Sequence, residues 1–127
     1  MNIHESAENY LERILMLQER LGYARSVDIA AELRVTKASV SVAMKRLREN
    51  DYITMDSEGL LMLSPKGREI AERVYARHKV LTAFLVGLGV SEEQAAEDAC
   101  KVEHDLSEES YAALWRFVQG AQLSESE

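Results

Sequence analysis

Only one stretch of this 127-residue chain gives up helical spacing. Tyr52-Ile53-Thr54-Met55, Asp56-Ser57-Glu58-Gly59 and Leu60-Leu61-Met62-Leu63 read as strand, turn and strand, with Gly59 free to adopt the positive φ that a tight loop often needs. The residues before this hairpin predict two short helices joined by a tight turn. Ser26 is a good N-cap for a helix over 27–33, Arg34-Val35 makes the turn, and Thr36 caps a second, basic helix running to about Asn50. Val40, Ala43, Met44 and Leu47 line one face of that second helix. A helix-turn-helix followed directly by a hairpin is the layout of a winged helix. The expected fold class is therefore mainly α, an N-terminal winged helix-turn-helix with a small β-hairpin wing followed by an all-α helical domain.

Helices flank this core on both sides. Ala7, Tyr10, Leu11, Ile14, Leu15, Leu17 and Leu21 give the first segment, 5–21, a wide apolar stripe, and Gly22 stands where a helix C-cap glycine belongs. After the hairpin, Ser64 is an N-cap and Pro65 a first helical residue, tolerated because its missing N–H would be unpaired there anyway. That long helix carries to Gly87–Gly89. Ser91-Glu92-Glu93-Gln94 is a capping-box signature opening a helix to about His104, and Ser107 opens another with Tyr111, Leu114, Trp115 and Val118 spaced for packing. The segment from Gly120 is polar and reads as frayed. The resulting division is a winged module over 1–63, a connecting helix over 64–79, a helical module over 80–120 and a flexible tail over 121–127.

The formal net charge of −7 argues at first sight against nucleic acid, but the charge is segregated. Between Arg25 and Asn50 six basic residues face three acidic ones, whereas from Ser91 onward ten acidic residues face only Lys101 and Arg116. That pattern suits a DNA-facing module joined to an acidic module with a different partner. No apolar run approaches a membrane span and Met1 is not followed by a signal-like segment, so a cytoplasmic protein is expected. One cysteine cannot form an internal disulfide and fits a reducing compartment.

That cysteine begins the most chemically loaded stretch. Cys100, Glu103 and His104 stand at i, i+3 and i+4, on one face of a helix. A thiolate, a carboxylate and a neutral imidazole are all transition-metal ligands. The same residues also fit a solvated helix face with a small packed thiol. An enzymatic Cys–His pair is not expected, because neither a Gly-rich oxyanion loop nor a third orienting residue accompanies it.

The chain resembles the diphtheria toxin repressor family of metal-dependent transcriptional repressors, with its iron-dependent and manganese-dependent branches. Ala7-Glu8-Asn9-Tyr10-Leu11-Glu12, Asp28-Ile29-Ala30, Thr36-Lys37-Ala38-Ser39-Val40-Ser41 and Leu63-Ser64-Pro65-Lys66-Gly67 carry the resemblance in the first half. Val74-Tyr75-Ala76-Arg77-His78 and Cys100-Lys101-Val102-Glu103-His104-Asp105-Leu106-Ser107 carry it in the second. The match covers roughly residues 4–120, and it resembles the shorter two-domain architecture of the manganese branch rather than the form with an SH3-like third domain.

The resemblance implies a metal site built by Asn9, Glu12, His78, Cys100, Glu103 and His104. His78, Glu103 and His104 fit both branches, Cys100 matches the iron branch, Glu12 the manganese branch, and Asn9 neither. Thr82 and Ala96 stand where the iron branch has a Glu and a His of its ancillary site, which is therefore not expected here. One sulfur among imidazoles and carboxylates softens the site. Fe(II) is the expected effector and Mn(II) the next, with Co(II), Ni(II) or Zn(II) possible in vitro. His4 reads as bland.

For DNA, Arg25, Thr36, Lys37, Ala38, Ser39, Ser41 and Lys45 are the expected contacts: hydroxyls to phosphates or base edges, lysines to phosphates, and Ala38 to a thymine methyl. Such a module binds a palindromic operator on double-stranded DNA as a homodimer, with Phe84, Leu85, Leu88, Leu114, Trp115 and Val118 as candidate dimer residues. The whole reading is a metal-dependent repressor of metal-ion homeostasis with no membrane partner. A metal-independent winged-helix regulator of a small organic ligand is the alternative; it accounts for the first half and gives no reason for the Cys100, Glu103, His104 spacing.

Overall fold

The computed structural model describes residues 5–126, with side chains described to residue 121; His4 lies outside the described residues. The chain divides into two compact units, Met1–Arg73 and Val74–Glu127.

The first unit holds α1 (Glu5–Leu21), α2 (Ser26–Leu33), α3 (Lys37–Glu49), β1 (Ile53–Met55), β2 (Leu61–Leu63) and the start of α4 (Pro65–Gly87). Leu11, Ile14, Leu15 and Leu17 of α1 are buried with Ile29 of α2 and with Val40, Met44 and Leu47 of α3. Each such side chain contributes about 1.5–3 kcal/mol by leaving water. β1 and β2 pair antiparallel with Ile53 opposite Leu63 and Met55 opposite Leu61. Ile53 and Leu61 are buried while Thr54 and Met62 are exposed, the alternation of a half-covered hairpin. The connecting loop is closed by Asp56, whose Oδ1 accepts from the N–H of Glu58 and of Leu60, both at 2.9 Å, and Gly59 takes φ +83°.

Two local details depart from the sequence reading or extend it. Ser26 is the first residue of α2 rather than its cap; Arg25 holds the cap position and makes no side-chain capping bond. Arg25 is extended because its backbone forms an antiparallel bridge with Leu60, so pairing with the wing sets the helix start. Ser64 does cap α4, accepting from the Gly67 N–H at 3.0 Å, while its hydroxyl lies 2.7 Å from the Asp51 carbonyl and 2.9 Å from that of Tyr52. A Cβ on Gly67 would lie 2.1 Å from the Tyr52 carbonyl oxygen, so only glycine lets this helix start close on the wing.

The second unit holds the rest of α4 with α5 (Glu92–Val102) and α6 (Glu108–Ser126). Ser91 caps α5 by accepting from the Gln94 N–H at 3.2 Å, but the Gln94 side chain turns forward to Asp98 instead of closing the box. Ser107 accepts from the Ser110 N–H at the start of α6. The helical backbone of α6 runs on to Ser126, past the point where the sequence suggests fraying. Val74, Val80, Leu81, Ala95, Ala99 and Val118 are buried. Val118 is thus core, whereas Leu88, Trp115 and Phe117 stay 66%, 46% and 64% exposed.

Candidate metal centre and DNA-facing helix

Glu103 is the focus of the second unit. Its residue is 1% exposed, and it sits at the C-cap of α5 with φ −56° and ψ −27°. Its Oε2 lies 3.0 Å from Nδ1 of His78, which α4 delivers, and its Oε1 lies 3.5 Å from Nε2 of His104, the next residue along the chain. The α5 helix runs to Val102, and Glu103 at its C-cap keeps αR dihedrals and donates to the Ala99 carbonyl, so the helix closes within two residues of the expected His104. Cys100 is half-buried in the last turn of α5 and takes part in no disulfide. A buried carboxylate between two imidazoles is a donor set that suits a divalent transition ion. Burying that carboxylate would cost several kcal/mol without charge or hydrogen-bond compensation.

In the first unit Glu12 is 2% exposed on α1, and Asn9 is half-buried one turn before it. Arg13 and Arg20, near Glu12 on α1, both pair with Glu32 of α2. Arg13 is 3.2 Å from its partner oxygen.

Arg77 is a residue that the sequence reading missed as a participant, taking it only as the basic neighbour of His78. It is 8% exposed, and its guanidinium spans the carbonyl oxygens of Glu103 and Leu106 and the carboxylate of Glu108. The available signal was an arginine beside a ligand histidine with a Glu108-Glu109 pair opening the next helix.

On the DNA side, α3 buries Val40, Met44 and Leu47 and exposes Thr36, Lys37, Ala38, Ser39, Ser41 and Lys45. Thr36 is spent in part on capping: its Oγ1 accepts from the Ser39 N–H at 3.1 Å and donates to Ser39 Oγ at 2.8 Å. Arg25 is exposed at the end of the wing bridge, with its guanidinium 5.8 Å from the Tyr23 ring centroid.

Two family models match in tandem. Residues 2–61 match the N-terminal DNA-binding domain of the iron-dependent repressors, and residues 64–124 match their metal-binding and dimerisation domain. The chain belongs to the iron-dependent repressor family. This is the diphtheria toxin repressor family that its motifs resemble. Among relatives, it is 39% identical over 120 residues to the HTH-type transcriptional regulator MntR of Geobacillus kaustophilus (strain HTA426), spanning 94% of this chain and 85% of that one. The same regulator of Bacillus subtilis (strain 168) is 39% identical over 114 residues, 90% of this chain and 80% of the relative.

Among solved structures, the IdeR of T. acidophilum superposes with a TM-score of 0.79 at 28% identity over 92% of this chain. The manganese regulator SloR gives 0.77 at 28% over 94%. The chain spans 55% of the length of each of those two structures. Family members are DNA-binding transcriptional regulators and not enzymes. This member is a metal-dependent repressor whose partners are DNA, a divalent metal ion and a second copy of itself. The metal-independent alternative falls with that result. No helix among the described residues is long and apolar enough to cross a membrane.

Proposed function

We propose that this repressor senses cytoplasmic Fe(II), with Mn(II) the second candidate, through a site formed by Asn9, Glu12, His78, Cys100, Glu103 and His104. The observation that carries the reading is the Glu103 carboxylate, buried between two imidazoles. The thiol of Cys100 favours Fe(II), because sulfur softens a site that carboxylates alone would leave suited to Mn(II). Mn(II) keeps its place because solved relatives include proteins named as manganese regulators.

When bound, a divalent ion supplies the positive charge that lets the acidic side chains share one site. Glu12 and Asn9 belong to the winged module, and His78, Glu103 and His104 to the helical module over 80–120 and the end of the connecting helix. Ligands from both modules give the two recognition helices of the dimer one preferred spacing, and a differential affinity of that kind is what shifts a conformational population. A coupling of about 1–3 kcal/mol, a 5- to 150-fold change in operator affinity, is ordinary for such linkage. On the DNA, Lys37 and Lys45 neutralise phosphates, Arg25 contacts the backbone beside the wing, and Thr36, Ser39, Ser41 and Ala38 face the groove.

The test is elemental analysis of protein purified without chelators, joined to anaerobic DNA-binding titrations with Fe(II) and Mn(II) separately. Half-maximal binding at lower free Fe(II) than free Mn(II) supports the proposal. The reverse order makes manganese the effector, and indifference to both removes the site.

A further inference from the structure

We propose that Arg77 is the positioning residue of the metal centre: it holds the turn after α5 in the one shape that presents Glu103 and His104 together. The inference rests on the reading of Glu103 and His104 as ligands.

Glu103 is the C-cap of α5 and His104 stands in the turn after it. Both follow the last residue of α5, where a helix leaves carbonyls without intrahelical partners and the backbone is free to fray. Within the turn the chain supplies two backbone bonds of its own, from the Glu103 N–H to the Ala99 carbonyl at 2.9 Å and from the Asp105 N–H to the Val102 carbonyl at 3.0 Å. Arg77 adds contacts that reach across the 103–108 segment from another helix. One guanidinium nitrogen donates to the carbonyl of Glu103 at 3.3 Å and to that of Leu106, and the other donates to Glu108 Oε1 at 2.5 Å. The Tyr111 ring lies 5.5 Å from the guanidinium carbon. Arg77 therefore ties the ligand residue, the residue closing the turn and the first turn of α6 to a single rigid fork.

Its placement on α4 fits the role. Arg77 and His78 are consecutive, so their side chains leave the helix about 100° apart. His78 reaches the carboxylate of Glu103 while Arg77 reaches its backbone carbonyl. One helix thus fixes Glu103 at both ends. The guanidinium charge is answered by Glu108, which keeps it from opposing a cation at the imidazoles. Lysine cannot replace this, because a single ammonium lacks the planar fork that meets several acceptors at once.

The test uses the full-length chain and Co(II), whose visible absorption reports ligand geometry. Arg77→Lys and Glu108→Gln are titrated alongside wild type, with helical content and apo-protein melting recorded for each. Outer partners of metal ligands typically control affinity by roughly 10–100-fold. Arg77→Lys, folded by circular dichroism, is expected to bind Co(II) in that range more weakly and to shift the absorption bands. Glu108→Gln is expected to show the same change in smaller degree. Unchanged affinity in a folded Arg77→Lys protein overturns the proposal. Weaker binding with wild-type bands overturns it too, since a general loss of stability would do the same. Glu103→Gln separates the two readings. If it abolishes Co(II) binding while Arg77→Lys leaves the affinity unchanged, only the positioning role fails; if it leaves Co(II) binding intact, the metal-centre reading fails as well.

Discussion

Among the described residues, the first unit buries Leu11, Ile14, Leu17, Ile29, Val40, Met44, Ile53 and Leu61 around one charged group, Glu12, whereas the second buries two alanines and a few aliphatics beside Arg77 and Glu103. Both units leave large apolar side chains in water, among them Val27, Val42 and Met62 in the first and Leu88, Trp115 and Phe117 in the second. The DNA-reading unit is thus held by an apolar core of its own. The metal-binding and dimerisation unit sets Arg77 and Glu103 among fewer large aliphatics. Stability in the second should depend on both metal and protein concentration.

That contrast breaks most easily in the first unit. Met44→Ala is expected to destabilise by about 2–5 kcal/mol, as large-to-small changes in a closed core do. Denaturant melts should show the loss with and without metal alike. Gly67→Ala comes next, at about 1–3 kcal/mol or somewhat more, because its new methyl meets the Tyr52 carbonyl. A Gly67→Ala protein as stable as wild type would mean the wing and α4 are less closely joined than they look.

In the second unit Phe117→Ser should leave the monomer helical and weaken dimerisation by about 2 kcal/mol, if its exposed ring is an interface anchor. Sedimentation over a range of concentrations reads this directly, and a dimer unaffected by it would move the interface elsewhere. The smallest effect is expected at Lys45, exposed on α3. Lys45→Ala should weaken DNA binding evenly across sequences and lower the salt slope by about one. A change in sequence preference instead would make Lys45 a base reader.

What was legible in the sequence follows the same division. Helix-to-strand changes of period and the caps Thr36, Ser64, Ser91 and Ser107 are local signals, and the structure has the elements they announce. The start of α2 was not legible, because Arg25 is drawn into pairing with Leu60, thirty-five positions away. The end of α5 was legible to within two residues, but not that the turn after it is bonded by Arg77 from another helix. His78, Glu103 and His104 were named from the family's motifs, and in the structure they gather around one carboxylate. Arg77 has an ordinary surface composition around it, and only the fold reveals that it is buried. Phe117 was not among the candidate dimer residues, and it is exposed.

The most direct measurement is the affinity of wild type and Glu103→Gln for a palindromic duplex selected from random sequence by the metal-loaded protein, each with Fe(II), with Mn(II) and with chelator. Wild type should gain roughly 5–150-fold from the effector metal and lose it to chelator. Glu103→Gln, with unchanged helical content, should bind at the chelated wild-type level under every condition. A Glu103→Gln protein that gains as much from metal as wild type would contradict the account.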